Sequence, residues 1–207
     1  VVADIRDSRF DTLVKMYTPK KDVPARINLQ LLPKIESDSI REGKIFTDIS
    51  RMDALCHVVR AFKDDSVYHA SGSIDPVRDI ESVNSELIMH DLIFIEKRCE
   101  RIEAARKRKA DAKLDAEDAL LARMKSHLEQ DLCLRTFDLT EEEEKLVSGY
   151  PFITAKQMLI VLNVSDSAIR DSALMEKLGA SLTKLNIEIM QVSAKLEAEI
   201  SILESHE

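Results

Sequence analysis

Met158-Leu159-Ile160-Val161-Leu162-Asn163 is the stretch on which the fold turns: an unbroken apolar run closed by an asparagine. A run this short and this apolar, without polar alternation, reads as a strand buried on both faces, the pattern of a parallel sheet. Working outward, similar runs occupy residues 26–32, 54–59 and 187–192, and stretches of helical spacing separate them. Strands alternating with helices predict an α/β class with a parallel sheet covered on both faces.

Composition agrees with a helix-rich member of that class. The 207 residues include four glycines and five prolines against 33% charged residues, a balance suited to long solvated helices rather than to many turns. With 44% hydrophobic residues the chain can bury a core. A net charge of -8 repels a phosphate backbone, so any nucleic-acid contact requires a local basic patch. Cys56, Cys99 and Cys133 are widely spaced, with neither zinc-site nor paired-disulfide spacing, and are expected to be buried thiols. No apolar run is long enough to span a bilayer, and Val1 opens into a polar segment, so the expected setting is the cytoplasm without a membrane partner.

Between the runs at 54–59 and 158–163 the pattern changes. Residues 75–113 are expected to form one long helix, with Asp75 as N-cap and Pro76 at the first helical position, where a missing N–H costs nothing. Ile88, Leu92, Ile95, Cys99 and Ile102 follow in steps of four and three, drawing a coiled-coil stripe. Leu114, Leu121, Met124 and Leu128 repeat the pattern on a second helix. Two such helices joined by a polar turn near 109–113 are expected to pair antiparallel, each covering the stripe of the other.

Flanking this hairpin, His57-Val58-Val59-Arg60-Ala61-Phe62-Lys63-Asp64-Asp65 and Gly72-Ser73-Ile74-Asp75-Pro76-Val77-Arg78-Asp79-Ile80-Glu81 form a long, specific signature. With Asn84-Ser85-Glu86-Leu87, Tyr17-Thr18-Pro19-Lys20-Lys21 and residues 1–13, including Asp7 and Arg9, it resembles the YchF family of Obg-related P-loop nucleotide hydrolases across nearly the whole chain. The resemblance implies a nucleotide domain made of residues 1–74 and 132–207, interrupted by the helical hairpin at 75–131. It also implies a downstream β-rich TGS domain, which this sequence ends too early to include. Its ligand in the family would be ATP or GTP with Mg²⁺, with weak binding or none expected of this chain in the absence of a phosphate loop.

Two motifs follow the hairpin, each where a strand ends, the edge at which open parallel sheets bind ligands. Asn163-Val164-Ser165-Asp166 resembles the family's base-recognition motif, in which the asparagine amide braces the site and the acid accepts from the base. The family usually has Glu where this chain has Asp166, and Asp there is typical of guanine-reading relatives, so base choice stays open. Ser193-Ala194-Lys195 resembles the second base-contacting loop.

Two family features have no counterpart. Gly-x-x-x-x-Gly-Lys-Ser/Thr, whose backbone N–H groups wrap phosphates, does not occur, and Gly43-Lys44 is no remnant of it. Where the family has Asp-x-Ala/Pro-Gly for magnesium and the switch, this chain reads Leu31-Leu32-Pro33-Lys34, followed by Arg41-Glu42-Gly43-Lys44. The P-loop fold further implies a sheet lacking the strand that feeds the phosphate loop, between the runs at 26–32 and 54–59. The favoured expectation is that the natural polypeptide continues upstream of Val1; direct pairing of those two runs, or a strand donated by another chain, is the alternative.

Other polar clusters have plainer readings. Asp64, Asp65 and His69 form a solvated loop, His57 is a core histidine, and Thr140 before residues 141–144 caps an acidic first helical turn. Arg106, Lys107, Arg108 and Lys109 with Lys113 form the one dense basic cluster. Near a hairpin tip it is either a solvated helix end or a contact to RNA or the ribosome, made through phosphates. Aromatic interleaving is absent there, which argues against base stacking. The expected function is a YchF-like purine-nucleotide hydrolase associated with ribosome or RNA, not catalytic in this chain by itself. The alternative is a non-catalytic protein- or RNA-interaction module.

Overall fold

A computed structural model describes residues 1–33, 44–69, 71–107 and 111–203. The chain divides into two units, Val1–Lys34 and Ile35–Glu207.

In the first unit, β1 (Val2–Asp4) pairs antiparallel with β2 (Arg26–Asn28), Ala3 opposite Ile27. Between them α1 (Ser8–Tyr17) is capped by Asp7, whose carboxylate accepts the Arg9 N–H at 2.9 Å. The run expected as a strand over 26–32 is therefore strand only at its start, and its partner is β1. β1 escaped the periodicity because three residues carry no measurable period.

The second unit holds a parallel sheet in the order β3 (Ala54–Arg60), β4 (Gln157–Asn163), β5 (Ile187–Val192). Leu55, His57 and Val59 share one face with Met158, Ile160, Leu162 and Ile187, and there Val59, Ile160 and Leu162 are buried. Cys56, Val58, Leu159, Val161 and Met190 share the other face, where Cys56 is exposed and Val58 is 62% exposed. Two expectations are corrected here. Among the described residues helices cover one face of the sheet rather than both, and Cys56, lying on the open face, is not a buried thiol. Cys133 is buried and Cys99 half-buried.

On the covered side, α2 (Lys44–Ser50) buries Ile45, Phe46 and Ile49. Lys156 Nζ donates to Ser50 O at 3.0 Å and Met52 O at 2.6 Å, satisfying carbonyls where α2 ends. α3 (Pro76–Arg106) begins as its sequence dictates, with the Asp75 carboxylate accepting the Arg78 N–H at 3.1 Å. It ends at Arg106 rather than Lys113. Asp111 explains the difference: its side chain accepts the Lys113 N–H at 2.9 Å and caps a new helix, α4 (Ala112–Leu128).

α3 and α4 bury the expected stripes against each other. Ile88, Ile95 and Ile102 join Leu120, Leu121, Met124 and Leu128 in one cluster, with Leu92, Cys99 and Leu114 packed at its margin. Lys125 reaches Glu96 while Asp115 and Asp118 reach Arg106, so the two helices run in opposite directions. Burying each such aliphatic side chain contributes about 1.5–3 kcal/mol. The cluster continues without a break into Cys133, Leu134, Val147 and Phe152, so the root of the helix pair and the chain that follows it share one core.

α5 (Glu141–Val147) has the N-cap expected at Thr140 and closes it as a capping box: the Thr140 hydroxyl accepts the Glu143 N–H, and Glu143 accepts the Thr140 N–H at 2.9 Å. The chain then passes through Phe152, Ile153 and Thr154 into β4. Asp91 of α3, fully buried, accepts from Ile153 N–H at 3.0 Å, Thr154 N–H at 2.8 Å and the Thr154 hydroxyl at 2.7 Å. This carboxylate fixes where β4 starts relative to α3. After β4, α6 (Ala173–Lys184) packs on β5, and α7 (Ala194–Ile202) follows β5. No helix among the described residues is long and apolar enough to cross a membrane.

Candidate functional site

Because β3, β4 and β5 are parallel, the loops after Arg60, Asn163 and Val192 emerge at one edge of the sheet. The ladder continues slightly past the strands: Ala61 N–H donates to Asn163 O and Val164 N–H to Val192 O, both at 2.8 Å. Val164 is buried and anchors the start of its loop. The Asn163 side-chain oxygen accepts the Ala194 N–H at 3.0 Å. That bond settles which way the amide faces, and it leaves the NH₂ end with two donors to offer.

Asp166 and Ser193 meet across the same gap. Ser193, 1% exposed, donates its hydroxyl to Asp166 Oδ1 and accepts the Leu196 N–H at 3.3 Å, thereby capping α7. Lys195 Nζ lies 3.7 Å from the other oxygen of Asp166, and both side chains reach solvent. The structure thus brings together all six residues expected at this edge: Asn163, Val164, Asp166, Ser193, Ala194 and Lys195. Chemically the edge presents amide donors from Asn163, acceptor capacity on a carboxylate, and a lysine stem. This is a set suited to the hydrogen-bonding edge of a planar base.

The loop after β3 completes this edge. Asp64 accepts from Ser66 N–H at 2.9 Å and Ser66 Oγ at 2.6 Å. Those bonds hold its carboxyl below the usual range, with smaller help from the charges of Arg60 and Lys195. His69 is turned away from Asp64: its Nε2 lies 3.2 Å from Asp79 Oδ2 while its Nδ1 accepts the Ser71 N–H. No group of three or more His, Cys, Asp or Glu side chains among the described residues is placed to hold a metal. His57 is half-buried, and burial pushes its imidazole below the ordinary value.

The basic tip is only partly free. Arg106 binds Asp118 at 2.9 Å and Asp115 at 2.8 Å, joining α3 to α4, and Lys107 binds Glu103 at 2.8 Å. Lys113 is exposed, and Arg108 and Lys109 lie outside the described residues. Leu31, Leu32 and Pro33 are irregular, while Lys34 and Arg41-Glu42-Gly43 lie outside the described residues.

Sequence reasoning passed over Arg60, Asp91 and Gln191. The one local signal was a glutamine inside the apolar run at 187–192. Arg60 sits at the end of a strand where any solvated residue is ordinary, and Asp91 reads as one more charge on a charged helix.

No family model matches the chain. Aligned over its whole length, it is 36% identical to the ribosome-binding ATPase YchF of Bacillus subtilis, covering 58% of that protein. Over 78% of its length it is 36% identical to the Obg-like ATPase 1 of Caenorhabditis elegans, covering 42% of that protein. The solved structure of the Schizosaccharomyces pombe YchF GTPase superimposes on 99% of this chain and 57% of its own, with a TM-score of 0.78 at 22% identity, a likeness that concerns the fold. The chain spans little more than half the length of the curated relatives it matches.

Proposed function

The chain belongs to the YchF family, and from that premise we propose that its residues hold the purine end of a nucleotide site in a hydrolase that works at the ribosome. One observation carries the reading: at the C-terminal edge of three parallel strands the segment 193–195 is tied to the end of β4 and its loop, Ala194 to Asn163, and Ser193 and Lys195 to Asp166. In this reading Asn163 donates from its amide to the base, Asp166 accepts from it, and Lys195 lays its aliphatic stem along the ring. The bonds of Asp166 to Ser193 and Lys195 hold the carboxylate in place before a base arrives. ATP or GTP would bind with its base here. Phosphate and Mg²⁺ chemistry needs the Gly-rich loop that these 207 residues do not contain, so hydrolysis is proposed for a whole YchF-type protein and not for this chain alone.

Residues 1–74 and 132–207 are accordingly assigned to the nucleotide domain, and 75–131 to an inserted coiled-coil arm, in a cytoplasmic protein. The names of the relatives include ribosome binding, and the arm's tip suits contact with RNA phosphates through Lys107, Arg108, Lys109 and Lys113. Arg106 is assigned to holding the helix pair instead, since both its acidic partners lie on α4.

The base site is tested by titrating the chain with AMP and GMP, whose single phosphate makes the least demand on a phosphate cradle. Asn163→Ala is expected to weaken both by about tenfold, while Asp166→Ala narrows the difference between them, a bidentate contact being worth about 1–3 kcal/mol of base discrimination. Equal binding by wild type and both variants removes the reading. For the tip, reversing Lys107, Arg108, Lys109 and Lys113 to Glu is expected to leave the fold intact and weaken co-sedimentation with ribosomes, with a shallower salt dependence. Unchanged co-sedimentation leaves these residues as a solvated helix end.

A further inference from the structure

Asn163 ends the middle strand, and the loop after β3 and the loop that follows Asn163 are each gathered by one side chain, Arg60 of β3 and Gln191 of β5. We infer that Arg60 and Gln191 are positioning residues of the base site, setting these two loops by collecting their carbonyl oxygens. The inference rests on the base-site reading above.

Arg60 is the last residue of β3 and lies opposite Asn163 in the ladder. Its Nε donates to Phe62 O at 3.1 Å, Nη2 to Asp64 O at 2.8 Å and Nη1 to Val67 O at 2.9 Å. Its guanidinium carbon stands 4.7 Å from the centre of the Phe62 ring. A planar fork with donors on three nitrogens can hold a loop in an arc around itself, which the single ammonium of lysine cannot reproduce. The loop so held carries Asp64, whose carboxyl is lowered chiefly by Ser66 and least by the charge of Lys195, the residue that lies 3.7 Å from Asp166.

Gln191 acts from the other side. It lies opposite Leu162 in β4, and its Nε2 is 2.9 Å from Ala168 O, 3.0 Å from Ile169 O and 3.1 Å from Asp171 O. These carbonyls belong to the turn that opens with Asp166. Its Oε1 is buried without a partner. An acceptor left in that state is unfavourable, and a methionine would fill the same space without one, so packing alone does not account for an amide here. The donor end does: it pins the turn, and the turn fixes how far Asp166 stands from Asn163. Loosening either loop shifts a contact group relative to the base, and small displacements of such groups cost affinity steeply.

The test is a nitrogen-15 NMR titration of the 207-residue chain with AMP and with GMP, for wild type, Arg60→Lys, Gln191→Met and the double variant. Each single variant is expected to weaken nucleotide binding about five- to tenfold, the double by roughly the product, and the AMP-to-GMP affinity ratio to move toward one. A merely structural role would lower the melting temperature and leave that ratio where it was. Folded variants with wild-type affinity and ratio overturn the inference while the base site stands. No binding of either nucleotide to the wild type overturns the base-site reading and this inference with it. Should Arg60→Lys fail to fold, Asp64→Asn, which leaves the carbonyl fan intact and removes the charge facing Lys195, serves on that side, with the same ratio as readout.

Discussion

Replacing Asp91 by alanine is expected to lower the unfolding free energy by about 3–5 kcal/mol, because each buried donor left without an acceptor costs about 1–3 kcal/mol. The side chain is 0% exposed and accepts from two backbone N–H groups and a hydroxyl, at Ile153 and Thr154. Alanine strands all three donors in a site without water access, and it opens a cavity under the segment that leads into β4. His90 Nδ1 also lies 3.1 Å from this carboxylate, and its ring stacks on Phe46 of α2 at 4.6 Å. The loss should therefore spread to α2 as well as to β4. Asp91→Asn, which keeps acceptor capacity without the charge, is expected to cost roughly half as much. Urea unfolding followed by far-UV dichroism measures both, and a loss under about 1 kcal/mol for the alanine variant would show that the two N–H groups find other acceptors.

Glu117 should behave differently, because its cluster responds to pH. Its carboxylate, 5% exposed, receives Arg98 Nε at 2.6 Å, Arg98 Nη2 at 2.9 Å and the Tyr150 hydroxyl. Burial pushes the Glu117 carboxyl up, but the hydrogen bonds from Arg98 and Tyr150 and the Arg98 charge together outweigh it and hold the group below its ordinary value. A carboxyl depressed in the folded state contributes stability above its unfolded pKa, about 4.3, and that stability is lost as pH falls through the lower folded value. Tyr150 is shifted the opposite way, raised by burial and then by Glu117. Its contribution holds below about pH 10 and is lost as pH rises through the folded value. Glu117→Ala is expected to cost about 2–4 kcal/mol at pH 7, somewhat less than Asp91 because Arg98 is 30% exposed and can rehydrate. More tellingly, it should flatten the acid limb of the stability profile as pH falls below about 4.3, the unfolded value of a glutamate. Acid limbs that superimpose for wild type and variant would falsify the assignment.

Much of the architecture could be read from residue order alone, and the exceptions share a cause. The runs at 54–59, 158–163 and 187–192 became strands, and the apolar stripe from Ile88 to Ile102 became a core, because each is a local pattern repeated at the period of its element. That residues 163–166 and 193–195 would lie at one edge was legible for a related reason: they stand at or just past the ends of two strands, and parallel strands deliver their ends to one place. The helix boundary at Arg106 was missed because a single capping aspartate, Asp111, outweighed continued helical periodicity. Cys56 was misjudged because an apolar run does not reveal which of its two faces will be covered. Asp91, Arg60 and Gln191 were invisible for a third reason. Each is a polar side chain whose value lies in carbonyl or N–H partners at other points of the chain, as far as Asp91 is from Thr154, and sequence spacing holds no record of such partners.

α3 also sets a mechanical ratio between the two ends of the second unit. Its 31 residues make a rod of about 46 Å at 1.5 Å per residue. Near its start, Asp79 touches His69 of the loop that follows β3, and its far end is Arg106. A tilt of the rod about its root by about 5° carries the far end through about 4 Å, while the point one turn from the start moves by less than about 0.5 Å. For any such rigid tilt the point near Asp79 moves roughly a ninth as far as the helix end.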